Sequence, residues 1–134
     1  MAKLSALIVA HNEEPRLDEC LARLGFADEI VVVLDRCTDA SKAIAEKHGA
    51  KTCEGNWPVE GERRHAGIDA CTGPWILEVD ADEWVDAALA AEISAAVKAD
   101  STDFHFMPMH NHVGGRWVRH GWMAALAPDL KGSL

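Results

Sequence analysis

Short, uninterrupted apolar runs alternate along this chain with stretches whose apolar residues recur every three or four positions. Leu4–Ala10, Ile30–Leu34 and Trp75–Val79 are compact runs of the kind that fills a strand buried on both faces, and Lys51–Glu54 adds a shorter candidate. Between the first two runs, Leu17, Cys20, Leu21 and Leu24 share one helical face, with Pro15 suited to a first turn and Gly25 to a stop. Asp39 can cap a second helix carrying Ala43, Ile44 and Ala45 and ending at His48-Gly49. Asn56–Gly61, with Trp57-Pro58, reads as a loop; Glu62–Cys71 reads as a third helix closed by Gly73-Pro74. Asp86 can cap a fourth helix, Ala87–Ala99, with Leu89, Ile93 and Val97 on one face. Phe104–Met109 follows as a strand candidate, with Pro108 placing it at an edge.

Strand and helix thus alternate four times. Continuous apolar strands with interleaved helices predict the α/β class, with a mostly parallel sheet covered by helices on both faces. Crossovers in such sheets are right-handed, and ligands bind beyond the carboxyl ends of the strands. That edge would gather residues far apart in sequence: His11-Asn12-Glu13, Asp35, and Asp80-Ala81-Asp82.

The third gathering is the sharpest. The apolar run from Trp75 ends in Asp80, Asp82 and Glu83, three carboxylates within four residues. Like charges brought together at a strand end are costly unless a cation joins them. Oxygen ligands point to Mg²⁺ or Mn²⁺, and such ions commonly complete their coordination with substrate phosphates. An acidic loop with Asp82 or Glu83 capping a helix is the plainer alternative.

Composition narrows the partners. The 134 residues suffice for one core-bearing domain, and 22 acidic against 13 basic residues give a net charge of −9. No basic stripe for nucleic acid is visible, nor any run of about 20 apolar residues for a membrane span. Cys20, Cys37, Cys53 and Cys71 form no CxxC pair, which disfavours a zinc knuckle and suggests free thiols in a reducing, cytoplasmic setting. His110-Asn111-His112 has spacing that would put both imidazoles on one strand face, although a surface loop is the simpler reading. Arg116, Arg119 and His120, interleaved with Trp117 and Trp122, could face an acidic or sugar ligand or fill a core.

Taken in order, Leu7-Ile8-Val9-Ala10-His11-Asn12-Glu13-Glu14, Ile30–Asp35 with Thr38-Asp39, Arg64-His65-Ala66-Gly67 and Trp75–Glu83 resemble family 2 glycosyltransferases. The resemblance runs from about Leu4 to Ile93 and is nearest to bacterial enzymes that build lipopolysaccharide core or other surface glycans. It implies a Rossmann-like GT-A fold and inverting, metal-dependent transfer of a sugar from a nucleotide diphosphate sugar, with a UDP-sugar foremost, to an acceptor hydroxyl on a glycan or lipid-linked glycan. It further implies that Ala10, His11 and Asn12 line the nucleoside pocket, that Asp35 reads the base, and that Arg64 helps neutralise the diphosphate. Asp80 would face the ribose or the metal, and Asp82 would bind the metal, Mn²⁺ or Mg²⁺.

The chain departs from the family pattern in two places. Leu34-Asp35-Arg36-Cys37 stands where paired acids and Gly-Ser are usual, and His65 stands where Asn is usual. The general base of the family lies in a later region, so the expected organisation is a nucleotide-sugar-binding core over residues 1–110 and the start of an incomplete acceptor-side region over 111–134, with the base beyond Leu134. Nucleic acid is not an expected partner, whereas peripheral attachment to the inner face of a membrane and self-association stay open. A non-catalytic nucleotide-sugar-binding module is one alternative. A nucleotidyltransferase of similar architecture is another, disfavoured because no glycine follows the first strand in Ala10-His11-Asn12-Glu13-Glu14-Pro15.

Overall fold

A computed structural model describes residues 4–100 throughout, and four short strands beyond them as backbone. The chain divides into two compact units, Met1–Ser101 and Thr102–Leu134.

The first unit alternates β1 (Leu4–Ala10), α1 (Glu14–Ala22), β2 (Glu29–Asp35), α2 (Ser41–Lys47), β3 (Lys51–Gly55), α3 (Glu60–Ala70), β4 (Trp75–Asp80) and α4 (Ala87–Ala99). Its four strands are all parallel, in the order β3-β2-β1-β4. The order explains the layers. From β1 to β2 to β3 the chain steps one way across the sheet, and from β3 to β4 it steps back. Right-handed crossovers then place α1 and α2 on one face and α3 on the other. Consistently, α1 packs on α2, and α3 packs on β2, β1 and β3.

Alternation along each strand divides the core between these faces. Leu7, Val31 and Val33 lie under α3, with Val9, Cys53, Ala70 and Ile76 packed around them. Ala6, Ile8, Val32 and Leu34 point the other way and are fully or almost fully buried, as are Leu17 and Leu21 of α1. Strand registers pair Val9 with Val33 and with Asp80, so Asp35 and Asp80 both project on the α3 face.

Gly67 sets how closely α3 approaches the sheet. A Cβ there would stand 2.5 Å from Leu7 Cδ1 and 2.7 Å from Val33 Cγ2, distances that real side chains do not adopt. The helix runs antiparallel to the strands. Its first turn therefore lies at their carboxyl ends, and its last residues reach the opposite edge, where Thr72 and Ser5 both donate to Glu29.

Several sequence expectations shift at their edges. α3 begins at Glu60 and ends at Ala70, and β4 extends to Asp80. Asp86 caps α4 as expected, accepting the Leu89 N–H at 2.7 Å. Asp39 does not occupy the N-cap of α2, which falls on Ala40. It instead accepts the Ser41 N–H and the Glu14 N–H, tying the loop after β2 to the start of α1. None of the four cysteines is in a disulfide, and among the described residues no helix is long and apolar enough to cross a membrane.

In the second unit β5 (Phe106–Pro108) pairs antiparallel with β8 (Leu130–Gly132), and β6 (Asn111–Val113) pairs antiparallel with β7 (Arg116–Val118). The side chains of the His110–His112 and Arg116–Trp122 groups lie outside the described residues.

Replacing Gly67 with Ala should destabilise the domain by about 1–3 kcal/mol, the usual cost of forcing a methyl into a filled core. A urea titration followed by circular dichroism checks this; an unchanged midpoint contradicts the close packing of α3.

Candidate functional site

The carboxyl ends of the strands bring Ala10, His11, Asn12, Asp35, Asp80 and Asp82 to one edge of the sheet. The chain reverses its direction of travel between β1 and β4, which is where open α/β sheets leave a crevice. Asp35 and Asp80 project on the same face with β1 between them, two strand spacings or roughly 10 Å apart.

The loops after β1 and β2 are stitched together. The Cys37 thiol donates to the Ala10 carbonyl at 3.4 Å and lies 3.5 Å from the Asn12 N–H. The Asn12 side-chain oxygen accepts the Thr38 N–H at 2.7 Å. His11 Nδ1 donates to the Asp35 carbonyl at 2.7 Å, which fixes the orientation of the ring. Both loops turn through a left-handed residue, Asn12 at φ 52° and Arg36 at φ 51°. Asn tolerates that region, whereas for Arg it costs on the order of 1 kcal/mol.

Asp35 is the centre of this edge. It is fully buried, yet its carboxylate collects four donors. Arg36 grips it as a fork, Nε to Oδ1 and Nη2 to Oδ2, both at 3.1 Å. The Trp57 N–H reaches Oδ1 at 3.1 Å, and Arg63 Nη1 reaches Oδ2 at 3.0 Å. Hydrogen bonds to a charged group contribute about 1.5–3 kcal/mol each, so four of them offset both the burial of the charge and the strain at Arg36. The Arg36 fork, aided by Trp57 and Arg63, holds the Asp35 carboxyl at about 2 against an ordinary 3.8, with burial opposing. All four acceptor positions of the carboxylate are taken.

Arg63, not Arg64, is the α3 arginine that joins this centre. Arg64 is half-exposed and lies 3.6 Å from Glu60 and 3.9 Å from Glu78. Glu78 precedes Asp80 by two residues on the same face of β4, so Arg64 lies over that strand behind its acidic end. Arg63 escaped the motif reading, but a signal for it exists. Gly67 faces the sheet, and the residue one turn earlier, Arg63, must face it too.

Asp80 and Asp82 are exposed at the end of β4. Glu83 turns back: its carboxylate accepts the Asp80 N–H at 2.8 Å, while its own N–H donates to the Asp80 carbonyl. The third carboxylate therefore closes the turn. Among the described residues, no three His, Cys, Asp or Glu side chains gather as a metal cluster. Asp80 and Asp82 are two exposed carboxylates, the number that commonly holds a hard ion taking further oxygens from phosphates. Trp84, exposed, follows this turn, with the Arg23 guanidinium 5.2 Å from its ring centre.

A different concavity of about 480 Å³ lies at the opposite edge, lined by Asp28, Glu29, Lys51 and Thr72 among others. Glu29 is already engaged there by Ser5 and Thr72, and that edge is not where parallel sheets bind ligands.

Residues 5–126 match the family described as glycosyl transferase family 2. The chain is 33% identical over 104 residues to an uncharacterized glycosyltransferase of Rickettsia felis, covering 77% of this chain and 37% of that protein. It is 35% identical over 95 residues to the lipopolysaccharide core biosynthesis glycosyltransferase LpsC of Rhizobium meliloti, covering 64% and 34%. Among solved structures, Staphylococcus aureus TarS superposes with a TM-score of 0.73 at 26% identity, over 87% of this chain and 23% of that one. Glucosyl-3-phosphoglycerate synthase of Mycobacterium tuberculosis, solved with Mn²⁺, UDP-glucose and phosphoglyceric acid, shares the fold with a TM-score of 0.54 at 22% identity, over 60% and 33%. The sheet and its crossovers are thus those of a GT-A fold, and the chain belongs to the family 2 glycosyltransferases. It spans about a third of the length of the curated relatives it matches.

Because its carboxyl is held low, Asp35 adds stability that is fully present above pH 3.8 and is lost as the pH falls toward about 2. Asp35→Asn should cost about 1–3 kcal/mol at neutral pH and flatten the loss of stability between those limits. Urea titrations from pH 5 to pH 2 check both; a variant with the wild-type acid slope contradicts the assignment.

Proposed function

We propose that this chain carries the donor-binding half of a metal-dependent, inverting glycosyltransferase that moves a sugar from a nucleotide diphosphate sugar to a hydroxyl of a cell-surface glycan. The observation that carries this reading is the placement of Asp80 and Asp82 on the same strand-end edge as Ala10, His11, Asn12 and Asp35, on the side of the sheet where α3 begins. The donor set fits a hard cation. Asp82, with Asp80, would hold Mn²⁺ or Mg²⁺. A bound ion there would neutralise charge growing on the departing diphosphate.

The rest of the work belongs to the chain. Ala10, His11 and Asn12 line the nucleoside side, with His11 fixed through its bond to the Asp35 carbonyl. The first turn of α3 presents its N-terminal dipole and Arg63 toward the same edge. Arg64 reaches the diphosphate by leaving its long contacts to Glu60 and Glu78, which are weak enough to exchange. A general base takes the proton of the acceptor hydroxyl as attack proceeds. The uridine complexes of TarS and of glucosyl-3-phosphoglycerate synthase make UDP the reference ligand. LpsC and TarS, a poly(ribitol-phosphate) β-N-acetylglucosaminyltransferase, both act in surface-glycan chemistry, which supports an acceptor of that class.

Asp82→Asn should abolish Mn²⁺-dependent binding of UDP and UDP-sugars while leaving the circular dichroism spectrum and melting temperature unchanged. Isothermal titration calorimetry with and without Mn²⁺ checks this. Wild-type affinity in the variant would contradict a metal held by that side chain.

A further inference from the structure

We propose that Arg36, rather than the carboxylate of Asp35, is the group that meets the nucleobase, and that it tunes this site toward cytosine over uracil. The inference rests on the nucleotide-sugar reading of the strand-end edge.

A carboxylate reads uracil by accepting its N3–H. Asp35 has no acceptor position left for that bond, because Arg36, Arg63 and Trp57 supply four donors to its two oxygens. Two of these donors are hard to displace. The Trp57 N–H is backbone, and its indole ring packs against Gly55 at the end of β3. Arg63 is three-quarters covered and comes from a helix fixed on the sheet by Gly67. Arg36 is the outermost member, with a side chain 49% exposed.

The geometry of Arg36 leaves a second recognition edge. The fork to Asp35 uses Nε and one N–H of Nη2. Nη1 and the remaining N–H of Nη2 form an adjacent pair of parallel donors, and neither has a partner among the described residues. Its backbone N–H is spent on the Gly55 carbonyl, and that bond and the Asp35 fork accompany its left-handed φ. The side chain is therefore preorganised as a two-donor plate at the strand-end edge.

Two parallel donors match a base edge with two adjacent acceptors. Cytosine presents N3 and O2 side by side. Uracil presents an N–H between two carbonyls, so one donor of the plate meets a donor. Cys37 follows Arg36 and is bonded to Ala10 and close to Asn12, which ties the loop that carries Arg36 to the end of β1 and the turn after it.

The test compares CDP and UDP, each with Mn²⁺, by calorimetry on the 134-residue chain and on Arg36→Ala. A mismatched donor pair at a charged group corresponds to about a tenfold change in affinity. Wild type should bind CDP about tenfold more tightly than UDP. Arg36→Ala uncovers the Asp35 carboxylate and should reverse the order, with UDP the tighter ligand. Where alanine disturbs the loop, Arg36→Lys keeps the charge without the fork and should also lose the CDP preference. UDP binding as well as or better than CDP in wild type overturns the proposal, as does a CDP:UDP ratio untouched by either variant. If neither nucleotide binds with or without Mn²⁺, the nucleotide-sugar reading itself falls, and this inference falls with it.

Discussion

One buried carboxylate organises the strand-end edge of this protein. Asp35 lies at the end of β2 with no exposed surface, and it draws a loop, a helix and a neighbouring arginine onto itself. Without its charge, Arg63 would be left with no anion on its sheet-facing side, the Trp57 loop would lose its tether, and Arg36 would have no reason to hold a left-handed backbone. The same residue's carbonyl fixes His11, so β1 and β2 end as one unit. Such a buried charge is stable only because every lone pair is used. That completeness also limits what Asp35 can offer a ligand.

The opposite strand of the site, β4, follows a looser logic. Its acidic end is held in shape by Glu83, which closes the turn and leaves Asp80 and Asp82 at the surface. One half of the edge is thus rigid and internally satisfied, and the other is acidic and open. A base held by preorganised donors and a diphosphate gathered through a cation would use those two halves differently.

The sequence made the architecture legible because three apolar runs and a shorter fourth candidate alternate with helical stretches. Parallel pairing then put the strand ends together, which is why Ala10, His11, Asn12, Asp35, Asp80 and Asp82 could be gathered from a chain in which they lie far apart. What could not be read was the phase of side chains around those positions. Arg63 and Arg64 are adjacent, and only the close approach demanded by Gly67 decides which one faces the sheet. Glu83 counted as one of three clustered carboxylates because its reach back to the Asp80 N–H depends on the turn, not on spacing. Arg36-Cys37 stood out as a departure from the family pattern, yet its meaning emerged only from the saturated carboxylate beside it.

Where a divalent ion and a nucleotide settle together decides the role of the strand-end edge. Amide spectra of the isotopically labelled chain, recorded during addition of Mn²⁺ in the presence of a pyrimidine nucleoside diphosphate, locate the ion by paramagnetic broadening. Signals of Asp80, Ala81, Asp82 and the Ala10–Asn12 turn should vanish first, while Asp28, Glu29 and Thr72 at the far edge stay sharp. Broadening centred on that far edge, or spread evenly over the acidic surface, would contradict it.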